Sequence, residues 1–160
     1  MNPFKVLGIE PPRLNLDLEA LEKIFYQASL KNHPDKNPDL ESATKNSAET
    51  NQAYRMLRDI WTRAQYVVEA AGLSLNSKMP PSLAELFFEL KESKDQDAIN
   101  ALQGRLRTEA NEREQKLKVD FINFDQASSD VERMKVLESL KLLLIEHKYA
   151  SSMARDLEAQ

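Results

Sequence analysis

Lys31-Asn32-His33-Pro34-Asp35-Lys36-Asn37-Pro38 is the stretch on which the fold turns. Upstream of it Leu18, Leu21, Ile24, Phe25 and Ala28 recur at near-helical spacing, behind Asn15 or Asp17, either of which can cap the helix. Pro34 disfavours helical geometry at His33, so this helix stops there or just before, near Lys31. Downstream, Ala43, Ser47, Thr50, Tyr54 and Leu57 restore the helical period over residues 41–57. A polar, proline-stiffened loop held between two helices presents a few side chains to a partner at little ordering cost. That context favours a recognition element over an active site.

The same reading extends in both directions. Residues 3–8 suit a short helix with Pro3 in its first turn and Gly8 at its end, and Pro11 and Pro12 make a stiff connection. Residues 60–71 read as a fourth helix closed by Gly72. Between Gly72 and Ser82 the pattern breaks, and Asn76, Ser77, Pro80 and Pro81 mark a domain boundary. Ser82 can cap a helix ending near Ser93-Lys94-Asp95, with Leu83, Leu86, Phe87 and Leu90 on one face. Two long helices follow, near 97–124 and 129–158, joined by a polar stretch short enough to fold them antiparallel. The expected chain is all-α: a small helical module at 1–72, a linker at 73–81 and a three-helix bundle at 82–160.

Composition removes several functions. With three glycines in 160 residues and Leu, Ala, Glu and Lys prominent, the chain is biased towards helix. It has no cysteine, so disulfides, thiol catalysis and thiolate-held metals or clusters are excluded. A formal charge of −4 without a broad basic stripe argues against nucleic acid as a partner. No apolar run approaches the length of a membrane span, and the first residues lack the features of a signal peptide. These features point to a soluble cytoplasmic protein with no membrane partner. His33 and His147, the two histidines, have no nucleophile at a recognisable spacing, and His33 with Asp35 is too sparse for a metal site. The expectation is a non-enzyme without metal or cofactor.

The segments around the loop are similar to a known family. Phe4-Lys5-Val6-Leu7-Gly8-Ile9 resembles the first helix of J-domains, and His33-Pro34-Asp35-Lys36-Asn37-Pro38 matches their loop. Thr50 to Leu57 looks like their third helix (Asn-x-Ala-Tyr-x-x-Leu), and Arg63-Ala64-Gln65-Tyr66 resembles the Arg-Ala-x-Tyr near their end. The resemblance implies a co-chaperone that docks on the ATPase domain of a DnaK-type chaperone and stimulates hydrolysis. By that resemblance Asp35 engages an arginine of the chaperone, His33 orients the loop and touches the same surface, and Pro34 fixes the backbone. Lys23, Lys31 and Lys36 are carried over as accompanying basic contacts. The chain departs from the pattern in two ways. Lys31-Asn32 stands where many J-domains have Lys-Tyr, and the second helix sets only Lys23 and Lys31 among Asp17, Glu19 and Glu22. A weaker positive field implies slower or weaker docking, matched to a specialised chaperone.

A J-domain followed at once by a helical bundle looks like the HscB-type co-chaperones of iron–sulfur cluster biogenesis, and Glu89-Leu90-Lys91-Glu92 is close to their Glu-Leu-Arg-Glu. The resemblance implies an HscA-like chaperone and an IscU-like iron–sulfur scaffold protein as partners. At about 100° per residue, Phe88 falls nearly opposite the apolar face of its helix, with Glu85, Glu89 and Glu92 on the adjoining arc. An exposed aromatic beside carboxylates suits the grip of a partner. On the family's register, Ala84, Phe88, Glu89 and Glu92 are the scaffold-binding positions, with Leu83 a weaker candidate if the register shifts by one.

The last helix carries two apolar stripes. Val131, Met134, Leu137, Leu140 and Leu144 form one, and Leu142, Ile145 and Tyr149 the other. A helix apolar on both sides buries both or exposes one for use. Leu142 can supply the family's apolar scaffold contact, although packing of the second stripe on the N-terminal module is the favoured reading. The charged positions of 105–118 read as a solvated face, and His147 as a polar position. Two other readings stay open: a J-protein serving another client, and a helical adaptor in which the tripeptide is incidental.

Overall fold

A computed structural model of the protein describes residues 1–32, 39–93 and 95–158, and all regular secondary structure among them is helical. In chain order the helices are α1 (Pro3–Val6), α2 (Leu18–Lys31), α3 (Leu40–Arg58), α4 (Ile60–Ala70), α5 (Pro81–Glu92), α6 (Gln96–Gln126) and α7 (Asp130–Glu158). The chain divides into two compact units, Met1–Val67 and Val68–Gln160. The stretch 73–81 carries no helix. It belongs to the second unit and is held to α7 there by the Tyr149 hydroxyl, which donates to the Ser77 carbonyl at 2.6 Å.

Local chemistry sets the ends of the helices. Asn2 Oδ1 accepts from the Phe4 and Lys5 N–H groups and opens α1. Gly8, at φ +70°, closes it: Ile9 N–H donates to Phe4 O and Gly8 N–H to Lys5 O. That paired closure calls for a left-handed residue, which glycine supplies without a Cβ penalty. Gly72, at φ +80°, ends α4 in the same way through Leu73 to Val68 and Gly72 to Glu69. Of the two candidate caps for α2, Asp17 is the one used, accepting from Glu19 N–H at 2.9 Å.

In the first unit α1 and α2 both pack on α3. Phe4, Leu7, Leu14, Leu21, Ala43, Ala53, Leu57 and Ala64 are buried, and Phe25 stacks on Tyr54 with ring centroids 4.2 Å apart. Arg63 is 2% exposed and its Nη1 donates to the Leu14 carbonyl at 2.6 Å, pinning α4 to the segment before α2. The matching Tyr66 lies against Phe4 at 6.0 Å. Arg63→Met keeps the length but removes the charged donor, and is expected to cost about 2 kcal/mol. A urea midpoint that falls with an unchanged slope is the expected result; an unmoved midpoint would mean the bond contributes nothing.

In the second unit α6 and α7 form the main pair and α5 packs on both. Leu83 and Leu86 meet Leu106, Ala150 and Met153, with Phe87, Leu90 and Tyr149 packed around them. The start of α5 departs from expectation: Pro80 is its N-cap, without a side-chain cap bond, and Pro81 occupies the first turn, so Ser82 lies inside the helix. Proline is preorganised for that first turn, where an N–H has no partner. The α6–α7 joint is tied by Glu132, whose carboxylate accepts from Ser128 N–H and Oγ, each at 2.8 Å, while its own N–H donates to Ser129 Oγ. Deeper in the pair, the Ser139 hydroxyl donates to buried Asp120 at 2.7 Å.

The charged stretch 105–118 is not a uniformly solvated face: Arg113 is 8% exposed, along with buried Leu106 and Leu117. Every fourth residue of a long helix returns to the same side, and a guanidinium stem can follow the apolar positions inward. The second stripe of α7 is also split. Ile145 is buried and Tyr149 joins the α5 cluster, but Leu142 is 60% exposed. Val131 and Met134, assigned to the first stripe, are exposed as well.

Candidate docking surfaces

His33, Pro34, Asp35 and Lys36 lie outside the described residues, and the structure defines instead the two chain ends that enter and leave their segment. On the entering side, Asn32 caps α2 through its N–H to Ala28 O. Its side-chain amide donates to Thr50 Oγ1 at 3.0 Å, and the Thr50 hydroxyl donates to Asn46 O at 2.8 Å. Thr50 is 1% exposed, so the relay fastens the end of α2 to the interior side of α3. On the leaving side, Asp39 caps α3, accepting from Ser42 Oγ at 2.6 Å and Ser42 N–H at 3.2 Å. The hydroxyl bond first, and the backbone bond second, hold the Asp39 carboxyl below its ordinary value. Glu132 is lowered likewise, chiefly by the Ser128 hydroxyl. A carboxyl lowered in the folded state contributes its stability above its unfolded pKa and loses it as pH falls through the lowered one, so both caps weaken on the acid side.

Lys23 and Lys31 are exposed on α2, as are Glu19 and Glu22. The same helix presents two apolar residues that the sequence reading passed over: Tyr26, 63% exposed, and Leu30, 41% exposed. They stand four residues apart and so share a face, on the side of α2 away from buried Leu21. The signal available in the sequence was an apolar pair off the main stripe.

On α5 the structure separates the candidates by depth. Phe88 is 62% exposed, Glu89 and Glu92 are exposed, and Ala84 is half-buried; helical register places all four on the outward arc. Leu83 is corrected: at 3% exposure it belongs to the bundle core and supports the patch from beneath instead of forming its surface. Phe88 is braced edge-on by Phe87 at 6.1 Å, and Arg105 approaches Glu89 at 3.9 Å while binding Glu109 at 3.0 Å. That exposed 3.9 Å pair holds Glu89 only loosely. The arrangement is an aromatic anchor with a carboxylate rim, suited to a partner offering an apolar pocket and basic groups. Leu142 presents a second exposed apolar side chain from α7.

Among the described residues no group of three or more His, Asp or Glu is placed to hold a metal, and no helix is long and apolar enough to cross a membrane.

Comparison with known proteins finds relatives of the chain as a whole. The family model for the DnaJ domain matches residues 2–66. A co-chaperone protein HscB homolog from Bordetella petrii is 30% identical over 159 residues, covering 93% of this chain and 82% of its own length. A second protein of that description, from Bordetella avium, is 32% identical over 89 residues, and the match spans about half of each chain, 52%. The chaperone HscB from Vibrio cholerae superposes with a TM-score of 0.64 over 99% of this chain and 96% of its own, at 19% identity, a likeness of fold.

Proposed function

Because the chain belongs to the HscB family of J-domain co-chaperones, we propose that its first unit docks on a DnaK-type, HscA-like chaperone and stimulates ATP hydrolysis there. In this reading the bundle carries an IscU-like iron–sulfur scaffold protein to that chaperone in the cytoplasm. The observation that carries the scaffold half is Phe88, a large aromatic left 62% exposed beside Glu89 and Glu92 while its neighbours Leu83 and Leu86 fill the core. Support for the chaperone half is the His33-Pro34-Asp35 motif between the two fixed ends at Asn32 and Asp39. Asp35 is assigned to a chaperone arginine in a charge-assisted bond, His33 and Pro34 to the shape of the loop, and Lys23, Lys31 and Lys36 to its basic margin. Ala84, Phe88, Glu89 and Glu92 form the scaffold patch, with Leu142 as a contact from α7. Two modules on one chain raise the effective concentration of scaffold near the chaperone, so neither contact has to be tight alone.

Isothermal titration of the full chain with a cluster-free scaffold protein tests the second half. One-to-one binding independent of the chaperone is expected, and no binding at tens of micromolar, roughly the range of transient complexes, would turn the reading towards another client.

The α2 face adds a prediction for the first half. Exposed Tyr26 and Leu30 stand beside only two basic residues on that helix, so docking draws more on apolar burial than on long-range charge. Raising salt from about 50 to about 200 mM, which shortens the screening length roughly twofold, should weaken stimulation by less than about threefold. A loss of tenfold or more would restore charge as the main term.

A further inference from the structure

Between the first half of α6 and the last turns of α7 lies a groove of about 460 Å³, within the range of small-molecule sites. Its floor is apolar: Leu106 and Ala150 are buried there, and Ala154, a single methyl on the wall, keeps it open. The ionisable groups lining it are Arg107, Arg113 and His147, with no carboxylate among the described lining residues. This is a concentration of one sign in a chain of formal charge −4. Arg113 is the incompletely bonded part of the wall. It is 8% exposed; its Nη1 reaches Glu109 only at 3.5 Å, a carboxylate already bound by Arg105 at 3.0 Å. Its Nε–H is buried and has no hydrogen-bond partner among the described residues. A desolvated guanidinium N–H without an acceptor is costly, and folded proteins leave few of them.

We propose that this groove binds a small organic anion with a carboxylate head and an apolar chain. Arg113 and Arg107 take the carboxylate, whose two oxygens match the guanidinium fork. The Ser151 hydroxyl, in long contact with His147 at 3.4 Å, is a further donor on the same wall. The apolar chain covers Leu106, Ala150 and Ala154, which an inorganic anion would leave bare. This site is separate from the outward arc of α5 and does not depend on the scaffold reading.

Calorimetric titration of the full chain with decanoate, below the concentration at which it self-associates, tests the proposal, with decanol and inorganic phosphate as comparison probes. Saturable one-site binding of decanoate is expected, at least about tenfold tighter than either comparison probe, the difference of one strong interaction. Arg113→Met should weaken it by about tenfold or more. Two changes nearer the surface keep the test sound if that variant folds poorly: Arg107→Gln, which removes a charge, and Ala154→Leu, which fills the groove, should each weaken binding severalfold. Non-saturating heats, equal binding of the alcohol, or unchanged binding in both the Arg107 and Ala154 variants would overturn it.

Discussion

Asp35→Asn is expected to reduce stimulation of the chaperone ATPase to the basal rate while leaving the circular dichroism spectrum and thermal midpoint unchanged. Asparagine keeps the size of the side chain and removes only its charge. A charge-assisted bond to an arginine is about twice as strong as its neutral counterpart. Removing one partner of such a pair at an interface costs about 2–5 kcal/mol, because the other charge is left desolvated and unpaired. On that scale docking weakens by roughly thirtyfold to several thousandfold, enough to empty the complex at micromolar concentrations. Stability should be spared because the elements that frame the segment, the Asn32–Thr50 bond and the Asp39 cap, do not involve Asp35. Retained stimulation by the variant would remove the motif from the mechanism.

Phe88→Ala is expected to weaken scaffold binding by about thirtyfold, the cost of truncating an aromatic hot spot at about 2 kcal/mol. The fold should tolerate it: Phe88 is 62% exposed and its main aromatic neighbour is Phe87 on the next position, so the loss in stability stays near the 0.5–1.5 kcal/mol typical of such ring pairs. Leu86→Ala provides the contrast. Leu86 is 1% exposed in the core cluster, and its truncation should cost about 2–5 kcal/mol of stability through transfer and cavity terms. Chaperone stimulation without scaffold should remain at the wild-type level in Phe88→Ala, because the substitution lies in the second unit. If Phe88→Ala destabilises the chain as much as Leu86→Ala, the exposed-anchor assignment fails.

Local punctuation was the part of the fold most readily visible in the sequence. Gly8 and Gly72 mark helix ends because each end needs a left-handed residue, and Asp17 was one of two named caps. The apolar face of α5 was also visible, since Leu83, Leu86, Phe87 and Leu90 repeat at the helical period, and the position of Phe88 opposite them followed from it. Depth was less visible. A one-residue uncertainty in register left Leu83 among the surface candidates, whereas the bundle buries it. Arg113 reads as a surface charge in one dimension and becomes part of the interior only when α7 is laid against α6. The two stripes of α7 could not be apportioned because periodicity reports sides of a helix, not which neighbour covers each turn. Tyr149 bonding to Ser77 and Leu142 left exposed are both outcomes of that packing. The role of Asp35 was legible only through family resemblance, since spacing alone does not distinguish a docking carboxylate from a cap.

The most direct test of the co-chaperone account is the steady-state ATPase rate of an HscA-like chaperone with this chain alone, with an iron–sulfur scaffold protein alone, and with both. The account predicts a rate with both that exceeds the sum of the separate stimulations, and that drops to additivity with Phe88→Ala. A rate with both that equals that sum for the unmodified chain would contradict it.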